Sequence, residues 1–457
     1  MSTDPWLELL LFPVSNGPLV VFRWLFGTLL AIFAVRRYRE KVEQLVDGLP
    51  HVGFELTRFL RPLGPGPMKL LFAAEMPLAI AFAVGLWGSW AALLLLAVRA
   101  YLLLLDRARY KNHDYLICLL LFLYVVVDAN ALGWVPRWQL LIVQVQIVLV
   151  YFFGGVAKLN HDWLIRAMPF RARLETEVRP GLPGLAPGHV PNARIAAWWR
   201  ALSQRKQVAY FFCWSGMAFD LSAGFLLMHA ATQPWALAPF LFFHAFNRWF
   251  YGLGIFPYLS IAALALFMGD WAVPEGAPSA VAGVDTLVFF FLYLAVQLLV
   301  PLRRYVAYVR SRGRMAVSGD HHHHFSWTMK LVQCRSESFS LEVFDRSTGK
   351  SVLPVLLHRL VGARAYDIVS RSPRALILLL DQLEQCFAHE PILADIDFGL
   401  RVHMCVSINR GKPFVAIDPT VDLRGQRVKI FGSYPWQRFG PPLDRGSLTS
   451  ASCLANS

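Results

Sequence analysis

The sequence predicts an all-α polytopic membrane bundle of about nine transmembrane helices, followed by a small C-terminal α+β cap domain. Three observations carry this prediction. Hydrophobic residues make up 56% of the 457 positions and charged residues only 16%, whereas a soluble globule is about a quarter charged. Apolar runs long enough to cross ~30 Å of hydrocarbon recur along the first two thirds of the chain. Beyond residue 310 the runs give way to short alternating stretches separated by turn residues.

The apolar runs lie at roughly 19–36, 68–88, 90–105, 114–132, 136–157, 207–230, 235–250, 254–273 and 284–303. The second and third are read as two spans or one broken hairpin, because Gly85, Trp87 and Gly88 leave little room between them. A turn-rich cap, Phe12-Pro-Val-Ser-Asn-Gly-Pro18, precedes the first run, and Arg23 sits early inside it. An ionisable group there must snorkel or find a partner; a snorkelling arginine and a pairing with Glu75 in the second run are the two readings. A polar knot, Asp106 to Tyr115, closes the third run, and Asp128-Ala-Asn130 closes the fourth. The long connection after Lys158 carries the proline- and glycine-rich piece 180–188, which cannot be a regular helix. Asp220 lies in the sixth run, and His244 and Asn247 lie in the seventh, three apart and so on one helix face.

The expected division is a membrane domain over residues 1–310 and a cap over 325–457. In the cap, residues 340–344 and 351–355 flank Asp345-Arg-Ser-Thr-Gly349, a hairpin with turn chemistry. Arg374 to Phe387 has helical periodicity. Residues 400–408 and 414–417 flank Asn409-Arg-Gly-Lys412 as a second hairpin. About 130 residues make a modest domain that packs on the membrane unit.

Composition also excludes. The formal charge of +14 is mostly arginine beside apolar runs, which serves topology and headgroup contact. No basic stripe is interleaved with stacking aromatics, so nucleic acid is not an expected partner. The six cysteines form no CxxC pair and argue for neither a zinc site nor a disulfide framework. The tract His321–His324 is weak evidence for metal, and no metal is expected. No removable signal peptide is expected at the N-terminus.

The chemistry gathers around Tyr151-Phe-Phe-Gly-Gly-Val-Ala-Lys158-Leu-Asn-His-Asp162-Trp163, where a membrane-spanning run ends in two glycines and an amine. Lys111, Asn112, His113, Lys158, Asn160, His161, Asp162 and the histidine tract all fall at one end of the predicted bundle. Titratable groups collected at a membrane boundary mark a site. An amine held out of water gives up its proton more readily, so Lys158 is either a base or a helix-end anchor. No HExxH, GxSxG, Walker loop or GxGxxG stands in a supporting context. Enzyme, transporter and lipid-binding protein all remain open on these grounds. A transporter would more often carry an internal repeat, and none is evident.

Several stretches, in order, resemble the vitamin K-dependent gamma-carboxylase family and its horizontally transferred transmembrane domain. They are Asn16 to Gly27, Asn112-His113-x-Tyr115-Leu116, Asp128-Ala-Asn130, Gly155-Val-Ala-Lys158-Leu-Asn-His-Asp162-Trp163 and Asp220-Leu-Ser-Ala-Gly-Phe225. Phe243-His244-x-x-Asn247, Gly254-x-Phe256, Ser326-Trp327-x-Met329, Val406-Ser-Ile-Asn409 and Asp418-Pro-x-Val-Asp422 complete the set. The second lysine of the family's Lys-Lys pair, its catalytic base, falls on Lys158, and the first is Ala157 here. The family's Asp-Ala-Asn-His has Ala131 in its last place.

The resemblance implies a quinol-dependent enzyme. Its lysine deprotonates reduced vitamin K or another quinol. The product of quinol and oxygen then removes a γ-proton from a glutamate side chain, carbon dioxide adds, and the quinone leaves as its epoxide. Lys158 and His113 are thereby implied to be catalytic, and Asn112, His244, Asn247, Arg23, Asp220 and Trp327 to bind quinol or substrate. The implied partners are the lipid bilayer, the quinol and a glutamate-containing peptide or protein. Animal relatives continue well beyond the point where this chain ends, at residue 457. The expected source is therefore bacterial, in the cytoplasmic (inner) membrane, and quinol epoxidation without carboxylation is the alternative. Lysine and arginine counts make the Lys158 end cytoplasmic, whereas the family's catalytic face is luminal.

Overall fold

The structure, a computed structural model, describes residues 9–46, 51–168, 171, 205–268, 284–310, 324–328, 334–387, 389–408, 412–427 and 436–437. The piece 180–188, His321–His323 and residues 409–411 and 443–457 lie outside the described residues.

Each apolar run is met by a helix: α1 Gly17–Val46, α2 Pro65–Val84, α3 Ser89–Leu105, α4 Asn112–Val126, α5 Arg137–Lys158, α6 Lys206–Met228, α7 Gln233–Tyr251, α8 Phe256–Ala263 and α9 Val284–Arg310. Five stretches among the described residues are long and apolar enough to cross a membrane: Gly17–Arg39, Pro65–Val84, Arg137–Lys158, Lys206–Met228 and Leu287–Val306. This is fewer than the nine expected, and the polar interruptions explain the difference. The knot at 106–111 and the break at Val127 trim α3 and α4 to 17 and 15 residues. α7 carries His244, Asn247 and Arg248, and α8 passes into a 3-10 turn at Leu264–Leu266.

The second and third runs form a tight helical hairpin. Gly85 ends α2 in the left-handed region (φ 77°), and its N–H bonds back to the last turn. Only glycine takes this conformation without steric cost. The Arg23 guanidinium also lies where a Cβ on Gly85 would stand.

The turn-rich N-terminal piece is half of a clasp. Strand β1 (Pro13–Ser15) pairs antiparallel with β2 (Trp134–Pro136). Asn16 donates to the carbonyls of Asp128 (3.2 Å) and Ala131 (2.8 Å) and accepts from the Gly133 N–H (2.8 Å). Arg23 donates to the Asn130 carbonyl at 3.1 Å and does not take the pairing with Glu75. Because α1 and α2 run antiparallel, Arg23 lies level with Gly85. Glu75 stands ten residues earlier, about 15 Å along the helix. There it faces Arg37 (3.5 Å) and Arg99 (3.2 Å).

The C-terminal region is a four-stranded antiparallel sheet, order β4-β3-β5-β6, from β3 Cys334–Asp345, β4 Ser351–Val355, β5 Phe398–Ile408 and β6 Phe414–Val415. Both expected hairpins are present. Asp345 holds the first turn by accepting from the Ser347 N–H (2.8 Å) and the Thr348 hydroxyl (2.9 Å). Helix α10 (Pro373–Phe387) packs Leu376, Leu380 and Leu383 against Leu341, Val343, Leu400 and Val402 of the sheet. Among the described cysteines, Cys405 in β5 is disulfide-bonded, a bond that the scattered spacing did not foretell.

The cap is joined to the bundle through the loop after α1. Val52 is buried in the cap's own core, and the His51 carbonyl accepts from Gln382 of α10 at 2.6 Å. Glu55 bridges Arg107, at 2.9 Å on the bundle side, and Arg374 of α10. Burial pushes the Glu55 carboxyl up, but the two guanidiniums outweigh it and hold the group below its ordinary value. A lowered folded-state value stabilises above the unfolded value of about 4.3 and is lost as pH falls through the folded one. Cap attachment should therefore weaken only under acid conditions. Glu55→Gln should cost on the order of 2 kcal/mol at neutral pH, read as faster hydrogen exchange in residues 373–387 with the bundle unchanged.

Candidate functional site

Lys158 is the last residue of α5, and the chain turns away immediately after it. The Asn160 side chain caps the next short turn by accepting from the Trp163 N–H at 3.0 Å. Side chains on a helix lean toward its N-terminus, so an amine on the final residue points back into the bundle. Lys158 follows this rule. Its Nζ donates to the Gly154 carbonyl one turn earlier, at 3.2 Å, and forms an ion pair with Asp220 of α6. Lysine and aspartate are 5% and 1% exposed. The Trp163 ring lies 5.4 Å from the ammonium, and its indole N–H is fixed on the Cys213 carbonyl at 2.6 Å.

The pair exists because α5 and α6 touch closely. A Cβ on Gly155 would stand 2.8 Å from the Leu221 backbone nitrogen, so any other residue would force the helices apart. This is the close backbone approach that small residues allow in membrane bundles.

Tyr151, two turns before Lys158, shares its helix face. Its hydroxyl meets His244 Nε2 at 2.7 Å, with Ser260 and Asp220 within electrostatic reach. His244 is fully buried among rings, with centroids at 4.6 Å for Phe240, 5.4 Å for Phe243, 5.8 Å for Phe256 and 6.4 Å for Phe219. Two polar atoms in this cluster, Asp220 Oδ1 and His244 Nδ1, have no hydrogen-bond partner among the described residues. Buried polar groups are nearly always paired, so these two mark where a ligand oxygen belongs.

The other expected site residues fall elsewhere. Asn247 is buried on α7 one turn beyond His244. Asn112 bonds the Thr328 carbonyl (2.9 Å) and the Tyr110 hydroxyl (3.0 Å), and His113 follows it, half-buried, in the first turn of α4. Trp327 stacks on Tyr115 at 5.0 Å. Phe325 and Trp327 hold φ of 59° and 56°, uncommon for bulky side chains and a form of stored strain. This second group forms a seam at the bundle end that carries the cap. Arg23 belongs to the clasp, about 30 Å of helix away from Lys158. Among the described residues no group of three or more His, Cys, Asp or Glu side chains is placed to hold a metal ion. Sequence reasoning missed Tyr151, Ser260 and the indole of Trp163. The seven-residue spacing of Tyr151 and Lys158 was the available signal.

Comparison with known families agrees with the geometry. A model described as the HTTM domain matches residues 12–271. A second, described as the vitamin K-dependent gamma-carboxylase lumenal domain, matches residues 284–439. The chain belongs to the vitamin K-dependent gamma-carboxylase family. No solved structure matches it. In this gamma-carboxylase relative, Tyr151, Lys158, Asp220 and His244 all lie within the first match and Trp327 within the second.

The close approach of α5 and α6 is testable on the carboxylase-family protein in detergent. Gly155→Ala should destabilise by about 1–3 kcal/mol through overpacking. Asp220→Ala, which leaves a buried ammonium unpaired, should cost about 3–5 kcal/mol. Both are read as a lowered unfolding temperature. A control, Ser222→Ala, on an exposed hydroxyl bonded within α6, should change little.

Proposed function

We propose that this chain is an integral, multi-pass membrane enzyme that couples oxygen-driven epoxidation of a quinol to γ-carboxylation of glutamate side chains. The observation that carries the proposal is the inward-pointing Lys158 amine, paired with Asp220 near the cluster of rings around His244. A lysine that only anchors a helix end places its ammonium among headgroups. This one points the other way, which disfavours the anchor reading.

The residues present fit a quinol. Phe219, Phe240, Phe243 and Phe256 supply apolar surface for a flat ring. The unpartnered Asp220 Oδ1 and His244 Nδ1 supply polar contacts for oxygens on its edge. When bound, a quinol supplies the electrons that reduce oxygen and, through that reaction, the strong base that glutamate carboxylation needs. Lys158 passes its own proton to Asp220 Oδ2, and the neutral Nζ then takes the first proton. The phenylalanines keep water from quenching a base stronger than hydroxide. His113, Asn112 and Trp327 at the cap-side seam are then placed on the approach from that end, toward a glutamate-bearing peptide and carbon dioxide. In this proposal the bundle crosses the membrane of a bacterial cell envelope, and reduced vitamin K, menaquinol or ubiquinol serves as the quinol.

Purified protein supplied with reduced quinone, oxygen and labelled bicarbonate should form quinone epoxide and fix label into a glutamyl peptide. Epoxide without fixed carbon would select quinol epoxidation alone, and no turnover with any quinol would defeat the enzymatic reading. Lys158→Ala should lose at least about 10²-fold in turnover while still inserting into membranes. An active Lys158→Ala protein would remove the lysine from its assigned role.

A further inference from the structure

The Tyr151–His244 contact carries an inference of its own, resting on the quinol reading only for the identity of the ligand. We propose that Tyr151 is a positioning residue: it fixes His244 as the tautomer protonated at Nδ1 and so presents that N–H to an oxygen on a flat ring ligand.

The argument starts from a 2.7 Å contact between the Tyr151 hydroxyl and His244 Nε2, both groups being buried. The tautomer follows from the bonding network around the ring. Either the phenol donates to Nε2, or Nε2–H donates to the phenol oxygen. The phenol O–H is the stronger acid and the neutral imidazole nitrogen the stronger base, so the first arrangement pairs the better donor with the better acceptor.

A neutral imidazole has one donor and one acceptor. With Nε2 accepting, the proton sits on Nδ1. That atom is buried and has no partner among the described residues. A buried N–H without an acceptor is rarer and costlier than a spare lone pair. The ring is enclosed by Phe219, Phe240, Phe243 and Phe256, which offer no acceptor, so the oxygen has to come from the ligand. The chemistry that answers is a carbonyl or ring oxygen on a planar, otherwise apolar molecule. Asp220 Oδ1, the other unpartnered atom of the cluster, serves a donor and so takes a different part of that molecule.

The test reads the imidazole directly and needs no turnover. Full-length protein in lipid nanodiscs is labelled with 15N-histidine. Because the chain has 13 histidines, the His244 signals are assigned by difference from His244→Gln. Wild-type protein should show Nδ1 protonated and Nε2 as an acceptor. Tyr151→Phe, which removes one oxygen and keeps the ring, should cut the Nδ1–H population at least in half. Adding the two-ring quinone menadione should shift the Nδ1 resonance of the wild type, whereas naphthalene, the same ring without oxygens, should not. Wild-type protein protonated at Nε2, or a tautomer indifferent to Tyr151→Phe, overturns the proposal. A correct tautomer with equal responses to menadione and naphthalene overturns its ring-oxygen part and counts against a quinone in this pocket, while lost turnover with an intact Nδ1 response would indict only the proposed reaction.

Discussion

The ion pair of Lys158 and Asp220 is the constraint on which the centre of this bundle depends. Opposite charges inside a membrane protein are costly to bury, and a pair is tolerated only when its geometry is held. Three local features hold it. Lys158 ends its helix, so its side chain must lean inward. Gly155 has no side chain, so α6 can come close enough to offer Asp220. Trp163, fixed on the Cys213 carbonyl, covers the amine from the helix end. Together they keep the two charges in contact and out of water.

The remaining buried charges are arranged to leave that pair apart. Arg23 donates to a backbone carbonyl within the clasp of Asn16, Asn130 and the β1–β2 ladder. Glu75 lies between Arg37 and Arg99, with Asp114 facing the same arginines at 3.6 and 3.9 Å. Glu55 ties Arg107 of the bundle to Arg374 of the cap. Each network joins elements distant in sequence, and together they set how the helices and the cap are seated around the Lys158 cluster.

Local patterns made much of this legible. The apolar runs located the helices, the Asp345–Gly349 turn located a hairpin, and the periodicity of 374–387 located the helix that packs on the sheet. Those signals depend on neighbours in the chain. Five of the nine helices are long and apolar enough to span by themselves, because polar residues at 106–111 and 127–130 limit the lengths of α3 and α4. The partner of Arg23 was open in the sequence because two residues in adjacent helices meet only if they lie at the same depth, and depth follows from helix direction and register.

By itself the sequence determined that this is a helical membrane protein with a β-rich C-terminal region, and it singled out Lys158, His244 and Asp220 as residues that an apolar run carries only for a reason. The tertiary structure decided which of them meet. It paired Lys158 with Asp220, brought Tyr151 to His244, and sent Asn112 and Trp327 to a separate seam. The reason is physical: hydropathy and periodicity follow from the backbone's own repeat, whereas an ion pair or a hydrogen bond requires two atoms within about 3 Å, a distance set by how helices pack.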